Sequence, residues 1–397
     1  MRNIRISMFS IAFLLFGITV NAQEKINKEE VFKPSIKMEG RIMYDFDFLS
    51  AGDYEFAGSE FRRLRLAAKG KLTKRISYSA DFDLTAGKIA YRNVYIKYTM
   101  PANYGNLTIG SFDEPTGLDM LTSSKYITFI ERAMMTVTQY GKYNTGFRYA
   151  NQKLLGGKMG VQLAYTFNGV GSEAYKDKAL EGGANFIGRI TGKVLENKEK
   201  RQLIHLGVNY EFRNDVKDDF GYKFRTENHM GKKTSITSVG AFKNTSDIGF
   251  ELAANFGSLS FQTEYELASI VTDVDTYKTN GYYGYVSYFI TGEHRAYKNS
   301  IFSRVKPKKE FLKDGGLGAI ELVARYSVMD MNDNMDVNGN DSNDYKIANI
   351  TLGFNWHLNK NTRFMYNFVS GDHNALAPAE YNNKNLTGHL MRFQVDF

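Results

Sequence analysis

The chain has 397 residues and no cysteine, and its composition already excludes several protein classes. Without cysteine there is no disulfide scaffold, no thiolate nucleophile and no metal site with cysteine ligands. The 26 Tyr, 29 Phe and 36 Gly, beside only 5 Pro, favour many hydrogen-bonded strands joined by polar turns. The formal charge of +8 is a modest excess, which suits an acidic partner without requiring one.

The first 22 residues have the pattern of a secretory signal peptide. Arg2 and Arg5 precede an apolar stretch of about 13 residues, and Val20 and Ala22 occupy the positions that define a cleavage site. The stretch is too short for a membrane-spanning helix, which needs about 20 residues. Cleavage shortens the chain from 397 to 375 residues and, by removing two arginines, lowers the charge from +8 to +6. Residues 23–34 would then form a charged periplasmic lead to a domain of residues 35–397.

From residue 35 onward, apolar and polar residues alternate with the period of two that is typical of strands. Ile36 and Met38 share one face of the first stretch, for example, and Lys37 and Glu39 share the other. The alternation returns at residues 63–72, 76–84, 159–167, 204–212, 248–256, 259–267, 318–328 and 350–358. No long amphipathic helix interrupts it.

Two all-β architectures fit these strands: a soluble β-sandwich or β-helix, and a transmembrane antiparallel β-barrel with apolar residues facing lipid and polar residues facing a wet lumen. Three features favour the barrel. The inward faces carry full charges, such as Glu264 and Glu266, which a dry core would not hold unpaired. Aromatic residues crowd strand ends, as at Tyr282 and Tyr283, and an alternating strand ends the chain at Phe397.

The length predicts about 16 strands, because membrane strands take about 9–11 residues and bacterial barrels use even strand numbers. Fourteen or eighteen strands stay open, since residues 141–149 and 220–242 are ambiguous. A plugged transporter of 22 strands needs more chain than the 375 mature residues. Passive diffusion is therefore expected rather than energised uptake.

Several stretches carry a family resemblance: FRRLRL at residues 61–66, SSKY at 123–126, ER at 131–132, TGEHRAY at 291–297, GAIELVARYS at 318–327 and LGFNW at 352–356. They occur in the order found in the phosphate-selective porin O/P family of outer-membrane channels, which the chain resembles. The resemblance implies a porin-like barrel of 16 strands, assembled as a homotrimer in the Gram-negative outer membrane. It also implies an inward constriction loop and basic residues that bind small, phosphate-like anions.

The strongest candidate pore lining is a line of basic residues on one strand face: Arg63, Arg65, Lys69 and Lys71. Residues two apart on a strand lie about 6.6–6.8 Å apart on the same face, so the four form a ladder of positive charge that concentrates anions. A guanidinium also makes bidentate contacts to phosphate or carboxylate. In the alternative interpretation these cations only pair within the wall, with Asp45, Asp81 or Asp83. Both interpretations stay open.

Residues 113–135 are the candidate inward loop, because Pro115 and Gly117 break the strand pattern after the fifth predicted strand. Lys125 and Arg132 are the candidate constriction cations, and Glu131 would position them or select among anions. The alternative is an ordinary extracellular loop.

Other site chemistries have weaker support. Residues 330–345 imitate the start of an EF-hand loop, but Tyr345 stands where the bidentate Glu is required, so a solvated loop without metal is expected. The 6 His match no protease or hydrolase motif, and His205 and His357 are expected to be polar groups of the lumen wall. No cofactor is expected. Nucleic-acid binding is not expected either, because basic and acidic residues interleave.

The pattern as a whole predicts an outer-membrane porin that prefers anions and has lipid around it. The main alternative is a non-selective, structural or adhesive barrel, and the remote one is an outer-membrane hydrolase that assembles its site across strands.

Overall fold

The computed structural model describes residues 32–87, 89–139, 143–167, 183–217, 221–237, 241–313, 315–331, 346–373 and 384–397. The expected signal peptide and most of the charged lead lie outside them. Within the described residues, sixteen strands form one closed antiparallel barrel, which confirms the predicted architecture. The strands are β1 Ser35–Ala51, β2 Tyr54–Lys71, β3 Ile76–Asp83, β4 Ala90–Thr99, β5 Asn106–Asp113, β6 Tyr143–Lys153, β7 Met159–Phe167, β8 Ala184–Asn197, β9 Gln202–Lys217, β10 Phe242–Phe256, β11 Leu259–Thr272, β12 Thr276–Phe289, β13 Ala319–Asp330, β14 Lys346–His357, β15 Thr362–His373 and β16 Lys384–Asp396.

The two ambiguous stretches have different structures. Of the first, residues 143–149 lie in β6, whereas the second contains a short hairpin, Gly221–Phe224 with Thr234–Thr237, and reaches the first residue of β10. A second short hairpin pairs Ala296–Lys298 with Ile301–Ser303. Short α-helices occupy Leu118–Leu121, Met134–Thr138 and Leu154–Gly157. Among the described residues, no helix has the length and apolar character needed to cross a membrane.

The polarity of the barrel is opposite to that of a soluble domain. Lumen-facing side chains are buried and largely polar, whereas outward-facing side chains are exposed and apolar. On β11, Glu264 and Glu266 are each 1% exposed, while Tyr265 and Leu267 are 38% and 42% exposed. The outward band therefore suits a hydrocarbon environment, and the inward charges face one another across the lumen.

The two ends of the barrel have connections of different length. At the end where β1 begins and β16 ends, connections such as residues 72–75 and 198–201 are short, whereas residues 114–142 and 218–241 connect strands at the other end. Short connections face the periplasm and long ones the cell exterior in outer-membrane barrels. The lengths do not follow this rule everywhere: residues 290–318, from β12 to β13, form a long connection at the periplasmic end, and residues 52–53 and 273–275 are short connections at the exterior end.

β1 and β16 close the barrel, and one arginine joins them inside the lumen. Arg392 of β16 donates Nε and Nη2 to the two carboxylate oxygens of Asp45 on β1, at 2.7 and 2.6 Å. The same guanidinium donates to Glu131 of the β5–β6 loop at 2.9 Å. On the outside, the ring of Phe397 lies against Gly40, where any β-carbon would collide with it. One buried side chain thus links the first strand, the last strand and the loop, in addition to the backbone pairing of the two strands.

Arg392→Ala is expected to lower the free energy of unfolding by about 3–5 kcal/mol, because it leaves the buried carboxylate of Asp45 without its partner. Denaturant unfolding in detergent micelles measures the change. Asp45→Asn combined with Arg392→Gln removes both charges and is expected to recover part of the loss. Equal stability of Arg392→Ala and the parent protein would show that the closure does not depend on this pair.

Candidate functional site

The loop between β5 and β6 enters the barrel and crosses its lumen. Residues 114–139, here named the crossing loop, are mostly buried. Side chains of the far wall hold its backbone. Arg363 of β15 donates to the carbonyl oxygen of Ile127 at 2.8 Å, and Asn355 of β14 donates to that of Thr128 at 2.8 Å. The barrel therefore has the inward loop that the sequence predicts after the fifth strand.

The start of the crossing loop is anchored by Glu264 of β11. Its two carboxylate oxygens accept hydrogen bonds from the N–H groups of Leu118 and Asp119, at 2.8 and 2.7 Å. Tyr283 of β12 donates its hydroxyl to the same carboxylate. The first N–H groups of a helix have no partner within the helix, so this carboxylate satisfies donors that would otherwise be orphaned inside the lumen.

Two further segments enter the lumen, one from each end of the barrel. The small hairpin at residues 296–303 enters from the periplasmic end, where the Tyr297 hydroxyl lies 2.6 Å from Nδ1 of His205. His205 is a buried group of the lumen wall. The connection from β9 to β10 reaches across to β1, where the N–H of His229 donates to Asp47 at 3.3 Å. These segments leave only part of the lumen open.

The open part is a cavity of about 470 Å³ between the crossing loop and strands β1–β5. Basic side chains outnumber acidic ones in its lining, which includes Arg41, Arg62, Arg63, Arg65, Lys69, Arg92, Lys125 and Arg132 against Glu39, Asp81, Asp113 and Glu131. Along β2 the lining runs from residue 62 to residue 69, about 23 Å at the rise of a strand. A second cavity of about 260 Å³ lies next to the first, toward the exterior end of the barrel. Arg62, Glu131 and Arg132 line both cavities.

Most of the predicted site residues meet in this cavity. Arg63, Arg65 and Lys69 line it from β2, and Lys125 and Arg132 line it from the crossing loop. Lys71 does not: it is the last residue of β2, lies exposed at the periplasmic edge and is absent from the lining. The predicted ladder therefore extends one residue beyond the cavity.

The alternative interpretation of the basic ladder is that its cations pair with acidic residues of the wall. This holds for two of the four residues. Arg65 pairs with Asp83 of β3 at 3.0 Å. Lys69 pairs at 3.0 Å with Glu39 of β1, an acidic partner outside the three expected aspartates. Asp45, one of those three, pairs with Arg392 instead.

Glu131 is the central carboxylate of the lumen. Arg62 donates Nε and Nη2 to its two oxygens at 2.7 and 2.9 Å, a bidentate pair. Burial alone would raise the pKa of Glu131, but Arg62, Arg63 and Arg392 around it hold that pKa well below the ordinary value. Glu131 is therefore a charged carboxylate that offsets part of the positive potential.

Arg41 and Arg63 make no ion pair with any described residue. Arg63 is 5% exposed, its Nη1 contacts Sδ of Met43 at 3.7 Å, and its Nε has no hydrogen-bond partner among the described groups. Arg41 is 9% exposed and donates to Oγ of Ser124 at 2.6 Å. The register pairs Arg41 with Arg65 and Met43 with Arg63, so the two unpaired arginines are diagonal neighbours. Carboxylates lie near both, Glu131 near Arg63 and Asp81 near Arg41, but neither guanidinium donates to one of them. A buried guanidinium without an ion-paired carboxylate is costly, which points to an anion from outside the chain.

The two predicted constriction cations differ in their surroundings. The Nζ of Lys125 lies 3.9 Å from Glu39 and 4.0 Å from Asp396, at the limit of an ion pair. Burial, with Arg41 nearby, lowers the pKa of Lys125 to about 8. The lysine is therefore charged at neutral pH but close to the pH at which it loses its proton.

The guanidinium of Arg132 mainly donates hydrogen bonds to the backbone of the crossing loop. Its Nε donates to the carbonyl oxygen of Asp119 at 2.9 Å, and its Nη2 donates to that of Thr122 at 2.7 Å. These bonds fasten the carbonyl groups around the helix Leu118–Leu121. The sequence shows the charge of Arg132 but not this use of it.

Sequence reasoning missed Arg41, Arg62 and Ser124 as members of the site. Arg41 falls on the predicted inward face of β1, so alternation was a usable signal for it. No local pattern indicates Ser124, because only the path of the crossing loop brings it to Arg41. Of the calcium-like stretch at residues 330–345, residues 332–345 lie outside the described residues.

Comparison with known proteins places this geometry in a family. The profile of the family described as "Phosphate-selective porin O and P" matches residues 36–397. Porin O of Pseudomonas aeruginosa is 28% identical over 365 residues, which cover 82% of this chain and 80% of that protein.

Solved structures share the fold. The anion-selective porin from Comamonas acidovorans superposes with a TM-score of 0.58 at 15% identity, over 92% of this chain and 100% of that one. The trimer form of OmpT from Vibrio cholerae gives a TM-score of 0.55 at 14% identity, over 91% and 100% of the two chains. Because the family profile covers the whole barrel, the chain belongs to the phosphate-selective porin O and P family and is an anion-preferring porin of the Gram-negative outer membrane.

Proposed function

We propose that the cavity is the path of a passive channel for small phosphate-like oxyanions, which bind between Arg41, Arg63, Ser124 and Lys125. The observation that carries the proposal is Arg63, a guanidinium buried in the lumen wall that makes no ion pair with any described residue. Planar-bilayer recording tests the channel itself. Stepwise conductance supports it, and a well-inserted but silent protein would favour a structural or adhesive barrel.

The site offers donors of the right kind for a tetrahedral oxyanion. Arg63 and Arg41 present guanidinium N–H groups that no carboxylate of the described chain occupies, and a guanidinium matches two oxygens of one phosphate. Ser124 accepts a hydrogen bond from Arg41 and can donate its own hydroxyl proton. Lys125 adds a compact point charge from the crossing loop.

The paired cations of β2 would serve transit more than binding. Asp83 and Glu39 offset the charges of Arg65 and Lys69, so the attraction for an anion is weaker there than at Arg63. Conduction requires sites that attract an ion and still release it. An anion that leaves Arg63 thus has a graded path along β2 toward the periplasmic end.

We also propose that the porin assembles as a homotrimer. Family membership supports this assembly, and so do the strand lengths: β3 and β5 have 8 residues each, against 17 in β1. A membrane strand needs about 9–11 residues, so the low wall around β3 to β5 suits a contact with neighbouring subunits instead of lipid. Light scattering of the protein in detergent tests the assembly, and a mass of one chain would contradict it.

Arg63→Gln is expected to weaken phosphate binding by about tenfold or more, since hydrogen bonds to charged groups contribute about 1.5–3 kcal/mol. Arg65→Gln is the matched control on the same strand face. Its guanidinium already donates to Asp83 and to the Tyr143 hydroxyl, so its effect on binding is expected to be much smaller. Block of the chloride current by added phosphate gives the apparent Kd. If both variants lost phosphate affinity equally, Arg63 would not be the anion-binding residue.

Raising the pH from about 7 to about 9.5 is expected to reduce the anion preference. Lys125, whose pKa is about 8, is positive below that pH and neutral above it, so the attraction for anions declines as the pH rises through 8. Reversal potentials in asymmetric salt measure the preference. Lys125→Arg stays charged over the whole range, and its preference is expected to remain level. A decline of the same size in Lys125→Arg would assign the titration to another group.

A further inference from the structure

The periplasmic end of the barrel carries a rim of exposed basic side chains. The connections at this end present them at positions around the barrel, among them Lys74, Lys158, Lys200, Lys309, Lys313 and Lys360. The exposed acidic residues described at this end are Glu196 and Glu199. We name the six lysines the basic rim.

Neither the fold nor the channel accounts for the basic rim. Its lysines form no ion pair with any residue that the structure describes, and none of them lines the 470 Å³ cavity. Lysine side chains that serve only solubility are usually mixed with acidic ones. The excess of one sign at one end of the molecule therefore indicates an anionic partner.

Large apolar side chains stand exposed on the same periplasmic connections. Leu155 is 74% exposed close to Lys158, and Leu312 is 81% exposed next to Lys313. At a membrane interface such side chains enter the acyl boundary, while the lysine ammonium groups remain at the level of the headgroups.

We propose that the basic rim binds anionic phospholipid headgroups of the periplasmic leaflet. The lysines lie on connections that follow β2, β6, β8, β12 and β14, so they surround the barrel. A single protein partner of standard size covers about 800 Å², whereas a lipid leaflet reaches all of these positions outside the subunit contact proposed at β3 to β5. Negative headgroups attract basic side chains near the membrane surface, and the exposed leucines beside them fit the same occupant.

The test uses the purified full-length porin in nanodiscs that contain equal amounts of phosphatidylglycerol and phosphatidylcholine. Native mass spectrometry counts the lipids that stay bound to the released protein. The parent protein is expected to retain phosphatidylglycerol preferentially. Lys158→Gln with Lys309→Gln and Lys360→Gln is expected to reduce that preference by about tenfold. Lysine-to-arginine changes at the same three positions keep the charge and are expected to keep the preference.

The matched control neutralises exposed lysines at the opposite end, with Lys243→Gln, Lys278→Gln and Lys346→Gln. This variant is expected to retain phosphatidylglycerol as the parent does. Phosphate block of the current, measured in parallel, is expected to be unchanged in every variant, which separates the rim from the channel site. A parent protein without lipid preference, or a rim variant that keeps it, would overturn the proposal. The proposal would also be overturned, in favour of a protein partner, if the rim variant retained phosphatidylglycerol as the parent does but no longer bound an acidic periplasmic protein that the parent binds.

Discussion

The channel depends on the hydrogen bonds that hold the backbone of the crossing loop to the barrel wall. A loop inside the lumen loses much of its contact with water, and each buried polar group left unpaired costs about 1–3 kcal/mol. Glu264 supplies acceptors for the N–H groups at one end of the loop, and Arg363 and Arg392 supply donors for its carbonyl groups farther along. These wall side chains keep the loop on one side of the lumen, and the cavity is the space that remains.

Burial alone does not distinguish the ion-paired arginines of this protein from those proposed to bind anions. Arg189 and Arg63 are both buried, at 1% and 5% exposure. Arg189 donates to both oxygens of Glu251 at 2.7 Å and so fastens the closed side of the lumen. Arg63 faces the open side without such a carboxylate. The position of the nearest acidic group decides which role a buried guanidinium has.

The attraction for anions depends on where the positive charges lie in this molecule, not on its net charge. A net charge spread over the barrel surface is screened within about 8–10 Å at physiological salt. Inside the narrow cavity, dielectric and ionic screening are weaker, so Arg41, Arg63 and Lys125 outweigh many surface charges. The lysines of the basic rim lie outside the cavity and face a different environment. The two proposed roles, for an ion and for a membrane, thus belong to two separate groups of cations in one chain.

The amino-acid pattern alone favoured a barrel of about 16 strands and an inward loop at residues 113–135, and the structure confirmed the barrel and its strand number. Period-two alternation with charged faces admits few packings, and the chain length then limits the number of strands. The resemblance supplied the family. The same alternation placed Arg63, Arg65 and Lys69 on one lumen face.

Only the tertiary structure separated Arg63 from Arg65, left Lys71 outside the cavity and brought in Arg41 and Ser124. Residues two apart on a strand look equivalent until the register shows which of them meets a carboxylate on the next strand. The path of the crossing loop is equally non-local, since Arg41 and Ser124 bond across 83 positions of chain. Pairing of charges is a property of contacts between distant segments, and a linear pattern does not contain those contacts.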